Sequence, residues 1–286
     1  MCDIKPPLTF DQQLELMISR NLIVRNRKYA LSKLMQINYY RLNGYSLTLR
    51  QGDYYLPDVE FEHIIKLYEF DKRLRALLLG ILETIEVSFR THIAYQHSQR
   101  YGAMGYRSPL NFNNPGYHMH FITKLNETIN KHKDKPFVSH HIKRYQSQFP
   151  IWVTVELLSF GEISKLFNNL KIDDRKAISR VYNRIPEKYI LSWLHYLTVL
   201  RNECAHYGRL YNSSFRKSPK LSTRDKELVV HRNSVFSGVF IINKLLLDQC
   251  TWLDFMINLE ALLERYDDVV DLHFLGFPDN WQDILE

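Results

Sequence analysis

Apolar residues recur at helical spacing along most of this chain. Thr9-x-x-Gln12 is a capping-box pattern, and it predicts a helix to about Ser19 with Leu14, Leu16, Met17 and Ile18 as apolar members. A second short helix fits residues 28–37, and an aromatic stretch from Tyr39 to Tyr45 follows. Residues 51–57 carry Gly52, Pro57 and two tyrosines and read as a loop or small hairpin. Asp58 is read as the N-cap of the next element. Residues 59–100 then run without proline, with Ile64, Leu67, Leu74, Leu78, Ile81, Ile85, Phe89 and Ile93 at helical spacing. This predicts one very long helix, or two joined near Gly80.

Beyond a Gly- and Pro-rich loop at 101–116, helices fit at about 117–132 and 137–148. A helical pair follows at 152–159 and 162–170, around Gly161, and then a short basic helix at 173–183. A long helix is predicted from Glu187 to about Arg209. Residues 213–233 are polar and basic and read as a loop, before two apolar helices at 236–247 and 252–266. The pattern contains neither an internal repeat nor a heptad run nor a convincing set of strands. The expected class is all-α, a helical bundle. A small N-terminal helical module is placed at residues 1–57 and the larger helical domain at 58–286, with one continuous unit as the other division.

Composition agrees. Among 286 residues there are only 10 Gly and 10 Pro, too few for a turn-rich β-sandwich. Hydrophobic residues at 45% and charged residues at 24% exclude disorder and collagen. The formal charge of +7 is uneven: residues 254–286 hold nine acids against one base, which leaves +15 on the rest. Such a basic body points to an anionic partner, with nucleic acid the first candidate. Cys2, Cys204 and Cys250 are scattered, which suits a reducing cytoplasm and neither a disulfide framework nor a zinc ribbon. The chain starts without an apolar signal core and has no run long enough to span a membrane. His118-x-His120 and His140-His141 come with no carboxylate repeat, so no metal or other cofactor is expected.

The helix from Glu187 carries the chemistry. At about 100° per residue, Ile190, Trp193, Leu197, Leu200 and Cys204 fall on one apolar side. His195, Val199, Asn202, His206 and Arg209 lie along the opposite side as a polar ridge. Asn202 and His206 are i, i+4 neighbours, so one can orient the other. An imidazole moves protons near neutral pH, and a guanidinium neutralises phosphate charge. Arg201 and His206, five apart, are about 140° around a straight helix and do not converge as an i, i+4 pair does. Cys204 lies on the apolar side, away from His206, which makes a thiol nucleophile pair poor.

Arg201-Asn202-x-x-x-His206 resembles the R-x4–6-H signature of HEPN ribonucleases. The longer string from Ser192 to Asn212 resembles the Abi family of bacterial abortive-infection proteins, of the AbiD and AbiF type. Asn38-Tyr39-Tyr40-Arg41-Leu42-Asn43-Gly44-Tyr45 is similar to the same family. So are Pro150-Ile151-Trp152-Val153 with Glu156, Ser159-Phe160-Gly161-Glu162-Ile163-Ser164, and Leu275-Gly276-Phe277-Pro278-Asp279-Asn280-Trp281. Tyr207 stands where a second His is common, and Tyr211 where Trp is common. The resemblance implies a HEPN-type helical bundle and metal-independent RNA cleavage in phage defence or as a toxin. It makes His206 the general acid or base, Arg201 the neutraliser of the scissile phosphate, and Asn202 an orienting group. It further implies a homodimer with a composite site and, in some relatives, restraint by a small structured RNA.

Arg209, Glu86 and Arg90 are candidate supports. Glu86 and Arg90 read first as an intrahelical ion pair and second as a brace for the motif. Arg175, Lys176, Arg180, Arg216, Lys217 and Lys220 are candidate RNA contacts, with Tyr29, Tyr39, Tyr40, Tyr145 and Tyr182 interleaved as rings for unpaired bases. Two other readings stay open. One is a non-catalytic RNA-binding protein that holds a structured small RNA. The other is a protein–protein module whose polar ridge is a dimer seam.

Overall fold

A computed structural model describes residues 6–286. Its first helices are α1 (Phe10–Ile18), α2 (Arg27–Gln36) and α3 (Tyr39–Tyr45), followed by the small hairpin β1 (Arg50–Gln51) and β2 (Tyr54–Tyr55). The long α4 (Phe61–Tyr101) leads to α5 (Pro115–Lys131), α6 (Pro136–Arg144), α7 (Ile151–Thr154), α8 (Phe160–Asn169) and α9 (Ile172–Ser179). The rest is α10 (Glu187–Ala205), α11 (Thr223–Leu228), α12 (Val235–Leu245), α13 (Gln249–Arg265) and α14 (Trp281–Leu285). The architecture is all-α. The hairpin pairs Arg50 with Tyr55 and Gln51 with Tyr54, antiparallel.

Helix starts follow local chemistry. Thr9 caps α1 through the expected box, accepting from the Gln12 N–H at 3.2 Å while its own N–H donates to Gln12 Oε1 at 2.9 Å. Ser159 and Glu162 form a second such box on α8. Asn38 caps the aromatic stretch, which is itself a helix: its Oδ1 accepts from the Tyr40 N–H at 2.8 Å. Asp58 does not cap α4. Its φ of +61° is left-handed, whereas an N-cap needs extended backbone. Glu60 holds that place, and its N–H donates to His63 Nδ1 at 3.2 Å.

α4 is one unbroken helix of 41 residues, about 60 Å long. Gly80 sits in open space within it and causes no break. The other helices pack round this rod: α10, α13, α7, α3, α9, α8 and α12 all contact it. Buried side chains from Leu14 to Leu285 form one contiguous cluster. Tyr182 belongs to it, stacked on Phe89 with ring centroids 4.4 Å apart, so it is no platform for a base. Asp174, in the first turn of α9, is buried and accepts from Arg100 at 2.8 Å and from Tyr101 Oη–H at 2.9 Å. The basic loop at 213–233 contains the short α11. Among the described residues, no helix is long and apolar enough to cross a membrane.

Candidate functional site

The apolar stripe of α10, Ile190, Trp193, Leu197, Leu200 and Cys204, is buried, and so are Leu194 and Tyr196 beside it. Burial pushes the Cys204 thiol up to about 12, so it stays a protonated core group. The helix stops at Ala205, earlier than its spacing predicts. His206 is the C-cap, with its N–H on the Asn202 carbonyl at 2.9 Å. The N–H of Gly208 returns to the Glu203 carbonyl at 2.7 Å and that of Tyr207 to the Cys204 carbonyl at 3.3 Å. This pairing is a Schellman turn. Its left-handed position is normally glycine, but here Tyr207 holds it at φ +60°. Gly208 follows in a tight place: a Cβ there would lie 3.0 Å from the Glu203 carbonyl and would displace the exposed Glu203 carboxylate.

Side chains from far away in the sequence hold this turn. Arg41 donates to the Tyr207 carbonyl at 2.6 Å, and Arg75 to the Gly208 carbonyl at 3.0 Å. Asp71 accepts the backbone N–H of Leu210 at 3.0 Å and of Tyr211 at 2.8 Å. Tyr45 Oη–H also donates to Asp71, at 2.7 Å, and Arg75 forms an ion pair with it. Asp71 and Arg75 are both buried, where a charge is tolerated only when paired and hydrogen-bonded. Burial pushes the Asp71 carboxyl above the usual carboxylate range, against the pull of Arg75, Tyr45 and the two N–H groups.

The ridge is exposed at His195, Asn202 and His206, as its spacing predicts. Arg209 leaves it, because the turn ends the helix first. It lies against Gly44 of α3 and donates to the Tyr211 carbonyl at 3.0 Å. Arg201 is half-buried and donates to Asn202 Oδ1 at 3.3 Å. A cavity of about 920 Å³ opens beside the turn. His206, Tyr207, Gly208 and Arg209 form one wall, and Asn38, Tyr40, Arg41, Asn43, Gly44, Tyr45, Leu47 and Arg50 the other. The structure thus brings His206 and Arg209 to one cavity, while Arg201 and Asn202 lie outside its lining.

The remaining candidates sit elsewhere. Glu86 and Arg90 do form the i, i+4 ion pair. Arg90 also donates to the carbonyls of Val155 and Leu158, at 2.6 Å for Leu158, so the pair braces the segment after α7 and not the 201–206 motif. Arg175 is half-buried and donates to the Asn168 carbonyl at 3.1 Å, whereas Lys176 and Arg180 are exposed on and just after α9. Arg216, Lys217 and Lys220 are exposed. The Lys220 backbone is pinned to α10, its carbonyl accepting from Trp193 Nε1 at 2.7 Å. His118 is buried with Nε2 2.9 Å from the Tyr106 carbonyl. Among the described residues, no three His, Cys, Asp or Glu side chains converge as metal ligands. Cys2 lies outside the described residues.

Sequence reasoning passed over Asp71 and Arg75. The available signal was an acid and a base four apart on an otherwise buried stripe of α4, flanked by Phe70 and Leu74. Arg41 stood in the family-like Asn38–Tyr45 segment without a role of its own, and Arg50 carried no local signal.

A model of the family described as Abi-like protein matches residues 32–212, a span that includes α3, the 71–75 pair and the whole of α10. No curated protein and no solved structure matches the chain.

Proposed function

The chain belongs to the Abi-like protein family, and from that premise we propose that it is a metal-independent endoribonuclease of the HEPN type acting in abortive infection. Membership itself points to phage defence. The observation that carries the enzymatic reading is the placement of His206. Its imidazole is exposed at the end of α10, on a braced turn beside a cavity that Arg41, Arg50 and Arg209 also line. A buried structural histidine would have neither the exposure nor the cationic surroundings.

The ribose 2′-OH attacks the adjacent phosphorus, and the bond from phosphorus to the 5′-oxygen breaks. The products are a 2′,3′-cyclic phosphate and a free 5′-hydroxyl. A base removes the 2′-OH proton, and an acid supplies one to the leaving oxygen. His206 takes one of these roles. Arg201 neutralises charge on the phosphorane, and Asn202 orients Arg201 through its Oδ1. Arg201 and His206 leave α10 on different sides, so one chain does not converge them. A homodimer with the two motif turns facing each other supplies Arg201 from one protomer and His206 from its partner. A small structured RNA that occupies the same surface would restrain the enzyme.

Labelled RNA incubated with the protein and EDTA tests the reading. Cleavage with a cyclic-phosphate end is expected, and it should vanish in His206→Ala. Salt-sensitive binding with no cleavage leaves an RNA-binding protein and removes the enzyme. Mixing inactive Arg201→Ala with inactive His206→Ala should restore part of the activity, since a heterodimer keeps one intact pair. No recovery in any mixture rules out the shared site.

A further inference from the structure

We propose that the cavity between α3 and the 206–209 turn is the groove for the single-stranded RNA that flanks the scissile phosphate, with N-terminal residues as its recognition wall. Arg41, Arg50 and Arg209 contact the phosphates, and the rings of Tyr40 and Tyr207 stack on bases. The proposal takes RNA as the ligand from the function proposed above and adds where the strand runs and what reads it.

Charge pairing is the first argument. Arg20, Arg25, Arg27, Arg75, Arg90 and Arg100 each have a carboxylate within 4 Å. Among the described residues, Arg41, Arg50 and Arg209 have none, as is true of eleven other arginines, but these three line one cavity. Arg41 uses one N–H on the Tyr207 carbonyl and Arg209 one on the Tyr211 carbonyl, out of five donors each. Arg50 uses one N–H on the Asn43 carbonyl at 3.5 Å. Three guanidinium groups lining one cavity repel one another, and a polyanion is the ligand that relieves this.

The rings are the second argument. Tyr40 is 86% exposed and Tyr207 70%, one on each wall of the cavity. The Tyr207 ring is held there by a left-handed backbone that disfavours any residue but glycine. Such strain persists at functional sites when the surroundings impose it, as Arg41 and Arg75 do here. Exposed aromatic faces beside cations are the features that bind single strands without strict sequence preference.

Binding of a fluorescent single-stranded RNA to the His206→Ala protein tests the groove without relying on cleavage. Affinity should fall roughly tenfold in Tyr40→Ala, from loss of one stacking platform. In Arg50→Gln the slope of log affinity against log salt should shrink by about 0.7, the share of one phosphate contact on a single strand. Arg41→Gln should do the same, but it also frees the Tyr207 carbonyl, so Tyr40→Ala and Arg50→Gln decide the matter. Lys143→Gln, on α6, should leave affinity and slope unchanged. A duplex of the same sequence should bind less tightly, because its bases are not free to stack. Wild-type affinity and slope in both deciding variants, equal affinity for the duplex, or no RNA binding at all would each overturn the groove. Weakened binding in a protein that never cleaves RNA would keep the groove and remove the nuclease. Cleavage with unchanged binding in both variants would do the reverse.

Discussion

Asp71 Oδ1 accepts the backbone N–H of Tyr211 at 2.8 Å, across 140 residues of sequence. The carboxylate of a buried helix residue therefore holds the chain just beyond the 201–206 motif, and Arg75 beside it holds the Gly208 carbonyl. The turn is built from the inside outward, with the exposed imidazole as its last member.

Replacing Asp71 by Asn should be severe. It leaves Arg75 buried without its counter-charge and weakens the hold on Leu210 and Tyr211. Breaking a buried pair in this way costs roughly 3–5 kcal/mol. Chemical denaturation should show the loss, and a midpoint equal to that of the wild type would mean the pair adds nothing to stability.

Tyr207→Gly should move stability the other way. Glycine adopts the left-handed position without the Cβ clash, and the gain should be roughly 1 kcal/mol. Thermal unfolding measures it. The same variant lacks the exposed ring, so it should be more stable and bind single-stranded RNA less well. A stabilised variant with undiminished binding would separate the turn from recognition.

Gly80→Ala should also stabilise, by up to about 1 kcal/mol. Nothing lies within 4 Å of a Cβ placed there, and alanine favours the helix interior. An unchanged or lower thermal midpoint would show that the glycine has a role in α4.

A pH dependence follows from His97, buried among Tyr101, Phe112 and His118. Burial lowers its pKa from 6.5, and the nearby His118 adds to this, while Asp174 opposes it. The unfolded chain therefore binds a proton that the folded chain rejects. The contribution of a neutral His97 is fully present above about pH 6.5 and is lost as pH falls through the lowered value. His97→Leu should flatten the acid limb of stability between pH 7 and 5, as read by denaturant titrations. An acid limb as steep as that of the wild type would place the sensitivity in other groups.

His206→Ala should abolish RNA cleavage and leave thermal stability within about 0.5 kcal/mol, since the ring is exposed and its removal opens no cavity. A folded variant that cleaves at the wild-type rate would remove His206 from the chemistry.

Much of the fold was legible because helices advertise their buried side. The α10 stripe of Ile190, Trp193, Leu197, Leu200 and Cys204 reads directly at a period of 3.6, and all five are buried. Where α10 ends was not legible. A Schellman turn is announced by glycine at its left-handed position, and tyrosine there gives no such signal. The reading of Arg209 as a ridge residue failed for that reason. Asp58 outranked Glu60 as a cap by side-chain preference, yet the backbone at Asp58 is left-handed. Glu86 and Arg90 were legible as a pair, but their hold on Leu158, 68 residues on from Arg90, leaves no local trace. For the same reason α3, read as an aromatic stretch, gave no hint that it walls the cavity beside His206.

The Arg41 bond to the Tyr207 carbonyl spans 166 residues, which sets an order of events during synthesis. At about 5–20 residues per second, most of the chain is made before the segment that Arg41 and Asp71 hold exists. A ribosome-bound fragment ending before Leu210 lacks both N–H groups that tie the turn to Asp71, so it presents no finished site. Closing contacts of this length is slow relative to local helix formation. Under the proposed function, chains released before Leu210 should therefore carry no activity, and a chain becomes competent only once about three quarters of it has been made.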